Sequence, residues 1–329
     1  MAKLWKDQLF PELTAPGFSP FGGHSKSPSI VAECSNLMIW NGGWNHQLLN
    51  GDDRIYAFGP WAIRRIQKTG HGVIRAYGVS DIGCVRTSNQ DRILLDEAAG
   101  LFLLADGMGG HGHGEVAAEL ALATSQYYLQ ASRDRFDVSW PFGYDVERSL
   151  DENRLRTAIQ LANRQVWKSA EESPDRAGMG TTIAAAIIHE DHAAIGNVGD
   201  SRVYLLRGGE LRQISTDDSW VANMVRSGAM DEKQAREHSM RNVLTQAVGS
   251  HSIVEAHTLE MKLSDGDVLM LTCDGVHGVV DEAVMRSILF STAEVDRAAN
   301  LLIQAAKTNG APDNASCILL RYEADPRTA

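Results

Sequence analysis

Four short clusters of charged and polar residues stand beside strand-like apolar runs, and their residue types could support chemistry. The clusters are SDIGCVRTSNQD (80–91), ADGMGGHGHGE (105–115), TCDGVHG (272–278) and APDNAS (311–316). An aspartate that ends a strand and precedes glycine, such as Asp106 or Asp274, leaves its carboxylate at the rim of a sheet and lets backbone carbonyls approach a ligand. Three such sites could converge on one metal centre.

The donor atoms of these clusters narrow the choice of metal. They are carboxylate and carbonyl oxygens, without thiolates or a convincing histidine set, so the hard cations Mg²⁺ and Mn²⁺ are favoured over Zn²⁺. A single Asp-Gly pair would more often be a turn. Its recurrence beside separate strand runs favours a metal site.

The elements that must position these clusters are short strands and a few helices. Strands joined by tight turns imply antiparallel pairing, and the apolar runs that predict them are VIRAYGVS, GLFLLAD, TTIAAAII, AAIGNVG, RVYLLRGGELRQI, DVLMLTC and ASCILLRY. Single apolar stripes predict helices at about 115–130, 151–169 and 293–307. Because each one-sided element must bury its apolar side, we predict an α+β fold, a four-layer αββα sandwich of two antiparallel sheets flanked by helices.

Residues 1–70 differ from the rest of the chain. They hold four of the seven tryptophans and five of the nine prolines, and they show little periodicity. We predict an irregular N-terminal extension of unknown role there, either packed on the core or serving as a docking module. One large domain is predicted at 71–325.

The composition argues against several classes of partner. With a net charge of −11, the chain lacks the electrostatic attraction that drives binding to nucleic acid or anionic membrane. Four scattered cysteines without a C-x-x-C pair fit a reducing compartment. No apolar run has the length of a membrane helix, and the N-terminus lacks the apolar stretch of a signal peptide. These features predict a soluble, cytoplasmic protein.

The order of the motifs resembles that of the PPM-type (type 2C) metal-dependent protein serine/threonine phosphatases, in particular their bacterial branch. The resemblance covers roughly residues 72–323, and its motifs are DIGCVRTSNQD, ADGMGGH, MGTT, NVGDSRVYLL, RNVLTQAVG, DGDVLMLTCDGVHG and PDNAS. Residues 215–240 are also similar to the segment that borders the active site in bacterial members. Seven motifs in the family's order carry more weight than any one of them alone.

That resemblance implies hydrolysis of phosphoserine and phosphothreonine in proteins by a metal-activated water at a two-metal Mg/Mn centre. Asp106 would bridge the two ions, and the Gly107 carbonyl would bind the second. Asp274 and Asp313 would be the remaining ligands of the first ion. Arg86 would hold the substrate phosphate, because its planar fork of donors suits phosphate oxygens. The implied partners are phosphorylated proteins, among them a serine/threonine kinase and its targets.

Further positions extend this predicted metal site or weaken it. Asp91, Asp200 and Asn314 are additional candidates for it. Gln90 stands where many family members have Glu, so its contact with the second ion would pass through water and be weaker. Ala177 lacks the carboxylate that would hold a third ion, so we expect that ion to be weak or absent.

The sequence does not identify the general acid, because Met108 stands where animal members have a histidine proposed as proton donor to the leaving alcohol. His111 and His113 are nearby candidates. Cys273 replaces a common serine before Asp274 and is expected to be a small buried side chain.

Two other functions fit the sequence less well. Residues 107–112, GMGGHG, formally satisfy the G-x-G-x-x-G pattern of dinucleotide binding, but that pattern needs a parallel β-α-β unit, which no apolar run in reach supplies. A phosphoprotein-binding pseudoenzyme would not need the three metal aspartates and Arg86. We also expect Asp217 and Asp218 to cap a helix through residues 220–225 rather than to bind metal.

Overall fold

The computed structural model describes residues 63–68, 71–110, 113–133 and 138–327. In this part of the chain the strands are β1 (Ile63–Lys68), β2 (Gly72–Asp81), β3 (Arg92–Asp96), β4 (Leu101–Ala105), β5 (Gly107–Met108), β6 (Gly180–Thr181), β7 (Ile183–His189), β8 (His192–Val198), β9 (Arg202–Arg207), β10 (Glu210–Gln213), β11 (His257–Lys262), β12 (Val268–Thr272) and β13 (Ala315–Ala324). They build two large sheets and one short ladder.

The two sheets are antiparallel throughout the described residues. One has the order β1-β2-β13-β12-β9-β10, the other has the order β11-β8-β7-β4-β3, and β5 pairs with β6. Every pairing within them is antiparallel. The described residues on either side of the GMGGHG motif therefore contain no parallel unit of the kind that dinucleotide binding needs.

The helices of the described residues are α1 (His113–Ala131), α2 (Leu150–Glu171), α3 (Trp220–Arg226), α4 (Glu232–Glu237), α5 (Asp274–His277), α6 (Glu282–Ser291) and α7 (Val295–Thr308). α2 begins at a capping box, in which the Ser149 side chain accepts from the Glu152 N–H and the Glu152 side chain accepts from the Ser149 N–H. This reciprocal cap fixes the start of the longest helix.

Apolar side chains form two cores on opposite faces of the six-stranded sheet, the one with the order β1-β2-β13-β12-β9-β10. Along β13, Ile318 and Leu320 join the core between the two sheets, whereas Cys317 and Leu319 join the core beneath α6 and α7. Successive strand residues point to opposite faces, so a strand with continuous apolar residues must be covered on both. α1 and α2 pack on the other sheet, and the predicted four-layer αββα sandwich is confirmed.

Several elements differ from the sequence prediction. β1 lies within residues 1–70, which were predicted to be irregular, and pairs with β2 from Ile63 opposite Gly78 to Lys68 opposite Val73. The rest of the predicted extension, with its tryptophans, lies outside the described residues. No helix of the described part is long and apolar enough to cross a membrane.

Candidate metal centre

Strand register brings the four motif clusters to the same rim of the sandwich. In the first sheet Ala315 pairs with Asp81, and Thr272 pairs with both Cys317 and Arg202. In the second sheet Arg92 pairs with Ala105. The segments that carry Arg86, Asp106, Asp200, Asp274 and Asp313 therefore leave their strands at one end.

Asp106 is held by its backbone. Its N–H donates to Thr182 Oγ1 (3.1 Å), and its carbonyl accepts from the Thr182 N–H (2.8 Å) and from Thr181 Oγ1 (2.9 Å). Thr182 Oγ1 in turn lies 2.7 Å from Ser201 Oγ. The threonines of the MGTT motif thus fix the position of Asp106 and leave its carboxylate free to face the other acids.

Two glycines allow the segments to approach closely. A Cβ on Gly107 would lie 2.1 Å from the carbonyl oxygen of Gly114 and 2.7 Å from that of Gln90. A Cβ on Gly275 would lie 1.8 Å from the Asn314 carbonyl oxygen. Neither position can carry a side chain without moving backbone, so the Asp-Gly pairs are needed for packing as well as for ligand access.

Asp91 lies at the bottom of the cluster and is 2% exposed. One of its oxygens, Oδ2, accepts from Ser316 Oγ (2.6 Å) and from Cys273 Sγ (3.2 Å). The other oxygen is buried and has no hydrogen-bond partner, and the same is true of Asp274 Oδ1. Possible ligand atoms of Asp91, Asp106 and Cys273 lie within 4.8 Å of one another.

The acids of the cluster repel each other electrostatically. Burial, followed by the charges of Asp91 and Asp274, raises the pKa of Asp106. Burial raises the pKa of Asp91 to about 6, and burial with the charge of Asp274 raises that of Asp200 to about 7. The pKa of Asp274 is raised by burial and by Asp313. Buried like charges of this kind favour a cation, which would reverse the shifts.

Arg86 is the cation that faces these acids from the loop after β2. Its Nη2 donates to Asp313 Oδ2 over 2.6 Å, and this bond raises the pKa of Arg86, with smaller contributions from Asp106 and Asp274. The Arg86 side chain is 53% exposed. It can therefore reach a ligand that enters from solvent.

Asn314 has a different position from the metal contact predicted for it. Its Oδ1 accepts from the Gln90 N–H (2.8 Å), and its Nδ2 donates to the carbonyls of Ile82 and Ser88 (2.9 Å each). Both ends of the amide are thus engaged by the backbone of the loop that carries Arg86. Asn314 positions that loop instead of facing the acids.

The remaining predicted residues are placed as follows. Cys273 is buried as expected, and burial raises the pKa of its thiol, which donates to Asp91. Met108 packs its methyl against Gly180. Ala177 is exposed beside the short turn Pro174–Arg176. His113 is the first residue of α1, and His111 lies outside the described residues.

Sequence reasoning missed the hydroxyl groups that support the acids. Ser316 bonds Asp91, and the two threonines of MGTT hold Asp106. The available signal was their place inside the motifs MGTT and PDNAS.

Comparison with known proteins identifies the family. The family model described as protein phosphatase 2C matches residues 85–307, a range that includes Asp91, Asp106, Asp200 and Asp274. The chain belongs to the protein phosphatase 2C family. Among phosphatase 2C relatives, the serine/threonine phosphatase stp of Listeria welshimeri is 34% identical over 244 residues, or 73% of this chain and 93% of that protein.

Solved phosphatase 2C structures share the fold. The crystal structure of the serine/threonine phosphatase PstP/Ppp of Mycobacterium tuberculosis is similar with a TM-score of 0.65 at 32% identity, covering 76% of this chain and 99% of that one. A structure of the PstP catalytic domain in complex with two manganese ions has a TM-score of 0.64 at 31% identity, covering 76% and 98%. The fold and the family are thus established together.

Proposed function

We propose that this phosphatase 2C protein hydrolyses phosphoserine and phosphothreonine in proteins at a centre of two Mg²⁺ or Mn²⁺ ions. Asp106, Asp274 and Asp313 would hold the ions through carboxylates, and Gly107 through its carbonyl. The observation that carries the proposal is the group of acids, from separate segments, that stand close enough for neighbouring charges to raise the pKa of Asp106, Asp200 and Asp274.

The donor set fits such ions. Buried oxygens of Asp91 and Asp274 lack any hydrogen-bond partner in the protein, and hard divalent cations prefer carboxylate oxygens. The two manganese ions bound by the PstP catalytic domain support the same chemistry here. Two such ions would supply an activated water for in-line attack on phosphorus and offset charge on the phosphoryl oxygens.

The protein's own residues bind and orient the substrate. The Arg86 guanidinium, now paired with Asp313, can donate two parallel hydrogen bonds to phosphoryl oxygens. Asn314 holds the Arg86 loop through three hydrogen bonds, so the guanidinium is presented from a fixed backbone. This preorganisation places the phosphate next to the acids.

Other predicted details extend the proposal. Asp91 and Asp200 would be additional residues of the centre, and Gln90 would contact the second ion through water. A third ion would bind weakly, because Ala177 offers no carboxylate. The substrates would be phosphorylated proteins, including a kinase and its targets, and residues 71–325 would form the catalytic domain. The cytoplasmic location expected from composition stays a prediction.

The test is an assay of three phosphopeptides that differ only in phosphoserine, phosphothreonine or phosphotyrosine, each with Mn²⁺ and with EDTA. We expect release of phosphate from the first two with Mn²⁺ and none with EDTA. Equal rates with EDTA and Mn²⁺, or turnover of phosphotyrosine alone, would contradict the proposal.

A further inference from the structure

The loop that carries Arg86 presents apolar side chains to solvent. Val85 is 67% exposed and Ile82 is 37% exposed. A single exposed apolar residue on a protein surface is ordinary. These two, however, lie within four residues of the arginine that the proposed function gives to the substrate phosphate.

The same loop is firmly anchored. Besides the three bonds to Asn314, the Gly83 N–H donates to Asp81 Oδ1 (2.9 Å) and the Cys84 N–H donates to the Ala311 carbonyl (2.9 Å). Asp81 is itself paired with Lys307 Nζ at 2.9 Å. Val85 is therefore exposed on a fixed backbone, and a partner that contacts it does not have to order the loop first.

Charge decides what kind of side chain the loop can receive. Residues 82–90, IGCVRTSNQ, carry one charged side chain, Arg86, in a protein of net charge −11. With Arg86 engaged by the phosphate, the neighbouring surface is neutral and apolar. Within residues 82–90 there is no further charge for a charged neighbour, and Asp81 and Lys307 beside the loop are paired with each other.

We infer that Val85, together with Ile82, contacts the side chain next to the phosphorylated residue and makes the enzyme prefer phosphopeptides with an apolar residue there. Consecutive Cα atoms are about 3.8 Å apart, so Val85 stays close to Arg86 just as the neighbouring substrate residue stays close to the phosphorylated one. The inference rests on the proposed function and adds a sequence preference to it.

The test compares two phosphothreonine peptides of equal length, one with leucine and one with serine on both sides of the phosphothreonine. kcat/KM is measured with Mn²⁺ for the wild type, for Val85→Ser and for the matched control Val146→Ser, whose residue is 81% exposed in the loop before α2. We expect the wild type to prefer the leucine peptide by about tenfold. Val85→Ser loses most of that preference through a higher KM for the leucine peptide, and Val146→Ser keeps it.

The outcomes separate this inference from the function beneath it. Equal efficiency of the wild type on the two peptides overturns the inference alone, as does an unchanged preference in Val85→Ser. If the wild type hydrolyses neither peptide with Mn²⁺, the proposed function fails and the inference fails with it.

Discussion

Two groups of aspartates differ in counter-charge: Asp217 and Asp218 form one group, and Asp106 and Asp274 belong to the other. The Asp217 carboxylate accepts hydrogen bonds from Arg202 Nε (2.9 Å) and Nη2 (2.8 Å). Asp218 receives His257 Nε2 at 2.8 Å. In the other group, burial and the charges of Asp91 and Asp274 raise the pKa of Asp106, and a buried oxygen of Asp274 has no hydrogen-bond partner.

The difference separates structural acids from functional ones. A buried carboxylate with its own cation is complete within the protein, whereas buried carboxylates that face one another are stabilised by an added cation. The prediction that Asp217 and Asp218 cap α3 is wrong. The N-cap is Ser219, whose side chain accepts from the Ala222 N–H. Asp218 instead accepts from the Gly199 N–H, beside Asp200.

The largest expected effect is on turnover. Asp106→Asn or Asp274→Asn should lower Mn²⁺-dependent phosphatase activity by about 10³-fold or more, because each removes a charge from the centre that holds the ions. Phosphate release from a phosphothreonine peptide measures it. The control is Asp175→Asn, an exposed acid on the turn after α2. Near-normal turnover in Asp106→Asn would remove that residue from the proposed centre.

The second prediction is that substitutions in the two groups change the free energy of unfolding in opposite directions. In metal-free protein, Asp217→Asn should lower the free energy of unfolding by about 2 kcal/mol, since Arg202 loses its partner. The same substitution at Asp106 should raise it by about 1 kcal/mol, because like-charge repulsion is relieved. Urea unfolding in EDTA measures both. Equal destabilisation by the two variants would erase the distinction between the groups.

The smallest effect is the pH dependence of the paired group. The bond to Asp218 raises the pKa of His257 above its usual 6.5, helped by Glu255 and opposed by burial and Arg226. A raised histidine pKa stabilises the fold below pH 6.5, and that contribution is lost as the pH rises through the folded value. It should amount to about 0.5–1 kcal/mol.

The check is the difference in free energy of unfolding between the wild type and His257→Gln. It should be larger at pH 6 than at pH 9. A difference that grows with pH would mean that His257 is held neutral against Asp218.

Sequence alone predicted the elements with strong patterns. The long apolar runs and the three helices with one apolar stripe were found, because their periodicity is set by burial. β11 was missed because an edge strand of sequence HTLEMK is half exposed and carries no apolar run. α6 was missed because it mixes buried Met285 and Leu289 with exposed Val284 and Phe290, so its stripe is blurred.

For the candidate site, the sequence predicted which residues take part but not how deeply they lie. The motifs named Asp106, Asp274, Asp313 and Arg86, and in the structure the charges of these groups act on one another, while their roles at a metal centre stay predictions. Depth could not be predicted, since burial comes from packing: Asp91 was one candidate among several, yet it lies at the bottom of the cluster. The amide of Asn314 looked like a ligand because the hydrogen bonds that engage it come from residues more than 200 positions away.

The most direct test of the central claim is a calorimetric titration of the metal-free protein with Mn²⁺, on the wild type, Asp106→Asn and Asp217→Asn. If the acids that face one another hold the ions, the wild type and Asp217→Asn bind two ions per chain, and Asp106→Asn loses both or binds them far more weakly. Unchanged binding of two ions by Asp106→Asn would contradict the claim.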